Sequence, residues 1–288
     1  MNPSSMEPRS PQEEFASYGG RRLRYLVMGS GPPLVLFHGF LGSAENFETW
    51  FEALAQRRTL VIPDLPGFGS STPLRDRVHI AEAMAAAVEP LLDELGISGG
   101  RFDVGGLCLG ASPALALARR HEGDVGRLIL HTPLLDPSLV RRRFHLQVAA
   151  MTAPGVLNGI LWLSRRRVVS DFYKRLMVEG SDVDQAAAEM NFRNQTRADP
   201  RATREWLRDG LRRHDVDALA ARTQPTLILA AAGDKIVDVE ALRGLVHRLP
   251  QVQLAVIEEA GHGWNAEFVR RQLDVLTAFL DGARPAAA

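Results

Sequence analysis

The chain has 288 residues, 45% of them hydrophobic and 24% charged, enough to bury one large domain or one domain with an insertion; disorder, collagen and small disulfide scaffolds are excluded. Thirty-four basic residues balance thirty-four acidic ones, so binding to nucleic acid or to a membrane is not expected as the main job. No apolar stretch approaches the length of a spanning helix and Met1–Ser5 lacks signal-peptide regions, so a soluble cytoplasmic protein is expected.

Residues 1–14, rich in Pro, Ser and Glu, are expected to be a disordered tail. Short apolar runs then read as strands at Leu23–Met28, Leu34–Phe37 and Leu60–Ile62. An Ala/Leu-rich stretch of helical spacing, Ile80–Leu95, precedes a strand at Phe102–Val104, and a second helix, Ala111–His121, precedes one at Leu128–Leu130. From 136 to 222 strand-like runs are scarce and helical stretches such as Val156–Leu163 and Arg204–Arg213 follow one another. Strands resume at Thr226–Ala230 and Val252–Ile257, and 283–288 read as a loose C-terminal tail. Doubly buried strands with helical crossovers mean a mostly parallel sheet flanked by helices, an α/β fold. Its core spans 15–135 and 223–282, with 136–222 as an inserted helical cap.

The cap holds sixteen Arg and Lys against eleven Asp and Glu, a local surplus in a chain with no net charge. The triplets Arg141–Arg143 and Arg165–Arg167 could meet a carboxylate, a phosphate or an acidic carrier protein, or could simply be a solvated helical surface. Phe144, Met151, Leu161, Trp162, Phe172, Tyr173 and Trp206 are available to line a pocket; at helical spacing most of them read as ordinary core.

The most informative stretch is Val104-Gly105-Gly106-Leu107-Cys108-Leu109-Gly110-Ala111, an apolar strand entering a helix through a Gly-x-Cys-x-Gly turn. Such a turn strains its central residue and lifts the side chain above the sheet edge, while the new helix's N-terminal amides favour a thiolate or a developing oxyanion. One cysteine forms no intramolecular disulfide, no His-Glu-x-x-His occurs and no Gly-x-Gly-x-x-Gly is present, so neither metal nor cofactor is expected.

This stretch and four others, in order, resemble the α/β-hydrolase superfamily over roughly residues 20–282. The others are Leu34-Val-Leu-Phe-His38-Gly39-Phe40, Ile62-Pro-Asp-Leu-Pro-Gly-Phe-Gly-Ser70, Leu227-Ile-Leu-Ala-Ala-Ala-Gly-Asp234 and Ala260-Gly261-His262-Gly263. The resemblance is to capped esterases and carbon–carbon bond hydrolases, with cysteine in place of the usual serine. It implies a Cys108 nucleophile, a His262 base and an Asp234 acid, with Asp238 as runner-up acid because Asp stands where the family has Pro. It also implies an oxyanion hole from the amides of Phe40 and Leu109, with His38 and Asp64 structural. The expected activity is cofactor-free hydrolysis of an ester, thioester or lactone through an acyl-cysteine, on a small-molecule acyl substrate, anionic or carrier-bound ones included. Acyl transfer, carbon–carbon bond cleavage and a catalytically silent binding protein stay open, and oligomeric state is not legible.

Overall fold

The computed structural model describes residues 11–151, 155–163, 165–177, 185–258, 261–262 and 266–282. Eight strands among them form one sheet: β1 (Gln12–Tyr18), β2 (Arg21–Gly29), β3 (Pro33–Phe37), β4 (Thr59–Pro63), β5 (Phe102–Leu107), β6 (Val125–His131), β7 (Thr226–Ala231) and β8 (Val252–Ile257). Their order is β1-β2-β4-β3-β5-β6-β7-β8. β2 is antiparallel to β1 and to β4, and every other neighbouring pair is parallel.

Parallel neighbours require crossovers. These are α1 (Glu48–Ala55), α2 (Ala81–Glu94), α3 (Ala111–Arg120), α10 (Val239–Val246) and, after β8, α11 (Ala266–Leu280) packing back on the sheet. Side chains alternate across each strand. In β3, Val35 and Phe37 enter the core that contains Met84, Val88 and Leu115, while Leu34 and Leu36 enter the one that contains Trp50, Leu54 and Leu276. The chain turns from β3 to β4 on one side and returns to β5 on the other, so a crevice opens above the carboxyl ends of β3 and β5, the usual ligand position in an open α/β sheet.

Between β6 and β7 the described chain is helical, with α4 (Arg142–Met151), α5 (Val156–Leu163), α6 (Arg167–Met177), α7 (Gln185–Arg197), α8 (Pro200–Gly210) and α9 (Val216–Ala220). The last two share the main core. Trp206 of α8 is fully buried with its ring 5.0 Å from Phe68 and 6.0 Å from His38, and Leu219 of α9 is equally buried.

The sequence-based tail needs correction at its inner end, because β1 begins at Gln12; residues 1–10 and 283–288 lie outside the described residues. Its polar start hid it. An edge strand has one ladder partner and one face to bury, here Ala16 and Tyr18, so Gln12, Glu13 and Glu14 sit in it while exposed.

The loop after β4 hangs on one carboxylate. Buried Asp64 accepts hydrogen bonds from the Ala44 amide (2.8 Å), the Ser70 amide (2.9 Å) and the Arg24 guanidinium (2.9 Å), and Arg24 also meets Glu45 at 2.5 Å. Asp64→Ala would strand two amides and part of a buried guanidinium. It is expected to destabilise the protein by about 3 kcal/mol, read as a lower urea midpoint; an unchanged midpoint would contradict the assigned role of Asp64.

Candidate active site

At the end of β5 the backbone turns at Cys108 with φ at +54°, a left-handed conformation that costs a non-glycine residue on the order of 1–3 kcal/mol. The turn is too tight for side chains on its neighbours. A Cβ on Gly106 would lie 2.2 Å from the Gly110 carbonyl oxygen, and one on Gly110 would lie 2.3 Å from that of His38. The turn continues as a 3-10 segment, Cys108–Gly110, into α3, and the Leu134 amide approaches the Cys108 carbonyl at 3.5 Å from the segment after β6.

The strained turn points the thiol at an imidazole from the other end of the chain. His262 Nε2 lies 3.2 Å from Cys108 Sγ, and His262 Nδ1 lies 2.8 Å from Asp234 Oδ2. Asp234 is itself held: its Oδ1 accepts from the Ile236 amide (2.7 Å) and the Val237 amide (2.9 Å). Asp238 has a different place. Its carboxylate accepts from the Glu240 and Ala241 amides and caps α10, so among the two candidate acids Asp234 is the one on His262.

Electrostatics reinforce this chain of contacts. Burial opposes charge on His262, but Asp234 and Cys108 outweigh it and raise its pKa well above that of a free imidazole. Burial likewise opposes ionisation of Asp234, and the His262 charge and hydrogen bond with the two amides outweigh it, so its pKa falls below the ordinary aspartate value.

The loop after β3 closes the other side of the crevice. A Cβ on Gly39 would lie 3.2 Å from Cys108 Cβ, so Phe40, the next residue, borders the turn, and Leu109 is the first residue of the chain beyond the thiol. His38 does not reach the thiol. Its Nε2 accepts from the Leu65 amide at 2.9 Å, which leaves Nδ1 to donate to the Gly39 carbonyl at 2.9 Å; burial lowers its pKa and keeps it neutral. It ties the loop after β3 to the loop that Asp64 holds.

Two features escaped the sequence. Arg141, first of an arginine triplet that reads either as an anion contact or as solvated surface, donates Nε to the Asp234 carbonyl at 2.8 Å, and its stem is laced to the acid's loop by Arg141 N–H to Ile236 O and Asp238 N–H to Leu139 O, both 2.8 Å. Its local sequence carries no sign of this contact. His131, at the end of β6, is fully buried near the pair; it takes the Gln272 amide at Nε2 (2.6 Å) and donates from Nδ1 to Thr132 (3.1 Å). Burial, then the charge of His262, lower its pKa to about 3, so it stays neutral. Only its place at a strand's carboxyl end could have marked it.

The cap aromatics divide. Trp206 is core and Phe144 packs partly buried against it, but Trp162 and Phe172 are exposed, which corrects their reading as ordinary core. The side chains of Met151, Leu161 and Tyr173 lie outside the described residues. Among the described residues, no group of three or more His, Cys, Asp or Glu is arranged to hold a metal, and no helix is long and apolar enough to cross a membrane.

A family profile described as alpha/beta hydrolase fold matches residues 32–267, most of the chain and every position of the site. The chain belongs to this family. It is 27% identical to the 2-hydroxymuconate semialdehyde hydrolase of Pseudomonas putida over 97% of both chains. It is 28% identical to the pimeloyl-[acyl-carrier protein] methyl ester esterase of Nitrosomonas europaea over 81% of this chain and 90% of that one. Its backbone superposes on a thermophilic esterase from Thermogutta terrifontis with a TM-score of 0.75 at 24% identity, covering 95% of this chain and 99% of that one.

The coupling of His262 and Asp234 gives a pH signature. The raised His262 value stabilises the fold fully below the ordinary imidazole pKa, about 6.5, and this contribution is lost as pH rises through the higher folded value. The depressed Asp234 value contributes fully above the ordinary aspartate pKa, about 3.9, and is lost as pH falls through the folded one. Urea midpoints measured against pH should therefore show a plateau between those limits with a fall on either side that Asp234→Asn reduces, and the His262 imidazole titration followed by NMR should move down in that variant. An imidazole that titrates identically in both proteins would contradict the pairing.

Proposed function

We propose that the protein is a hydrolase that cleaves an ester, thioester or lactone through an acyl-Cys108 intermediate, without a cofactor, on a small-molecule acyl substrate. The observation that carries this reading is the Cys108–His262–Asp234 chain of contacts, 3.2 and 2.8 Å, at the crevice of an α/β-hydrolase fold. The family and the similarity to a methyl ester esterase support the hydrolase class.

The steps follow from the groups present. His262 Nε2 takes the thiol proton, and Asp234 holds the other ring nitrogen and stabilises the imidazolium. The Cys108 thiolate adds to the substrate carbonyl, and the resulting oxyanion is held by the Phe40 and Leu109 amides. When the tetrahedral species collapses, the carbon–oxygen or carbon–sulfur bond to the leaving group breaks, and the departing alcohol or thiol receives the proton from His262. The acyl group is then a thioester on Cys108. His262 removes a proton from water, the hydroxide equivalent adds to that thioester, and collapse expels Cys108, releasing the acid. A thiolate leaves a tetrahedral intermediate more readily than an amide nitrogen does, so activated esters and thioesters suit this site and amides do not.

The similarity to a 2-hydroxymuconate semialdehyde hydrolase favours carbon–carbon bond hydrolysis as a second reading, tested by following loss of that compound's absorbance. The main test is a p-nitrophenyl acyl ester, with nitrophenol release and intact protein mass recorded together. Sustained turnover with a transient acyl adduct is expected, falling at least about a thousandfold in Cys108→Ala and His262→Ala. Turnover that survives Cys108→Ala would overturn the proposed nucleophile. A single burst leaving a stable adduct, discharged by an added alcohol or thiol, would replace hydrolysis by acyl transfer.

A further inference from the structure

The helices between β6 and β7 display apolar side chains that stand exposed among the described residues. Leu146 (65% exposed), Val156 (43%), Trp162 (60%), Leu163 (42%), Val168 (82%) and Phe172 (68%) all lie on α4, α5, α6 or their ends, whereas Phe15 and Val78 are the only comparably exposed large hydrophobics elsewhere among the described residues. Val168 and Phe172 stand one turn apart on α6 and so share a stripe. Scattered exposed apolar residues are ordinary, but six gathered on one short stretch of helices are not.

Cations accompany them. The Arg166 guanidinium lies over the Trp162 ring, 5.5 Å from its centre. Arg142, Arg143, Arg165 and Arg166 have no carboxylate partner among the described residues, in contrast to Arg167, which pairs with Glu189 and Asp171. Beside Trp162 runs a groove of about 460 Å³ whose lining includes Asn158, Arg165, Asp199 and Arg204. Arg204 bonds the neutral Asn158 amide oxygen at 2.6 Å and Asp199 Oδ1 accepts from the Arg201 and Ala202 amides at the start of α8, so both keep their charge, and the groove lining holds Arg165, Arg201 and Arg204 against the one carboxylate of Asp199.

We propose that this face of the cap docks on an anionic lipid bilayer surface. Trp162, Val168 and Phe172 enter the headgroup layer, Arg165 and Arg204 receive lipid phosphate in the groove, and Arg166 lies at the level of the Trp162 ring. Exposed aromatic and aliphatic side chains with an arginine rim are the composition of an interfacial helix, which gains from apolar burial and from charge attraction together. A second copy of the chain fits less well, because a two-fold contact through this face would set its unpaired arginines against one another. The zero net charge that argued against membranes sums over the whole chain and is silent about a patch. This docking is independent of the proposed reaction.

The test is co-sedimentation of the whole protein with phosphatidylcholine vesicles, with and without phosphatidylglycerol. Binding is expected with phosphatidylglycerol, much weaker without it, and reduced by added salt. Trp162→Ser combined with Phe172→Ser should abolish it, and Arg165→Ala combined with Arg166→Ala should weaken it about fivefold per arginine, with the circular dichroism spectrum and Tm of both variants unchanged. No binding to phosphatidylglycerol vesicles, or binding that neither variant reduces, would overturn the proposal. A dimer by light scattering that Trp162→Ser with Phe172→Ser converts to monomer, without vesicle binding by the parent, would assign the face to a second copy instead.

Discussion

Everything in the crevice depends on the close backbone approach at the end of β5. The left-handed turn at Cys108 is tolerated because glycine at 106, 110 and 39 leaves no side chain between the turn, the loop after β3 and the start of α3. That contact fixes two things at once: the Cys108 thiol faces His262, and α3 starts directly after the turn. Strain of on the order of 1–3 kcal/mol held by surrounding packing is a common price at a functional turn.

Polar networks then hold the loops that the turn needs. Asp64 gathers the Ala44 and Ser70 amides with Arg24, His38 bridges Leu65 to Gly39, and Asp234 winds its own loop around its carboxylate before reaching His262. Each is a buried group whose partners are supplied, so each loop has one low-energy arrangement. The helical segment between β6 and β7 is part of this frame. Arg141 fastens its first residues to the acid's loop, Trp206 packs on His38, and Gly210 closes over Leu109, where a Cβ would come within 2.2 Å of the leucine side chain. Both ends of the segment between β6 and β7 are therefore fastened to the site's loops, while the exposed apolar side chains lie on the helices between them.

Legibility followed physical locality. The parallel strands were readable because burial on both faces writes a continuous apolar run, and the turn at Cys108 because its glycines are spaced by sterics within one short stretch. β1 was not readable, since an edge strand with exposed glutamates has no run to show. Trp162 and Phe172 misled for a related reason: a large apolar residue at helical spacing signals burial only if another element comes to cover it, and both stand exposed among the described residues.

The amino-acid order by itself determined the α/β class, the sequence of strand and helix, the strained cysteine turn and the residue types at each loop, because all of these arise from side-chain periodicity and backbone sterics over a few residues. Only the tertiary structure decided which distant groups meet. It brings His262 to Cys108 across 154 positions of sequence and selects Asp234 over Asp238 by giving Asp238 the helix cap. It also turns Arg141 Nε onto the Asp234 carbonyl, and among the described residues it leaves Trp162, Val168 and Phe172 exposed. Such choices depend on strand order and on which surfaces find a partner, and no local pattern encodes either.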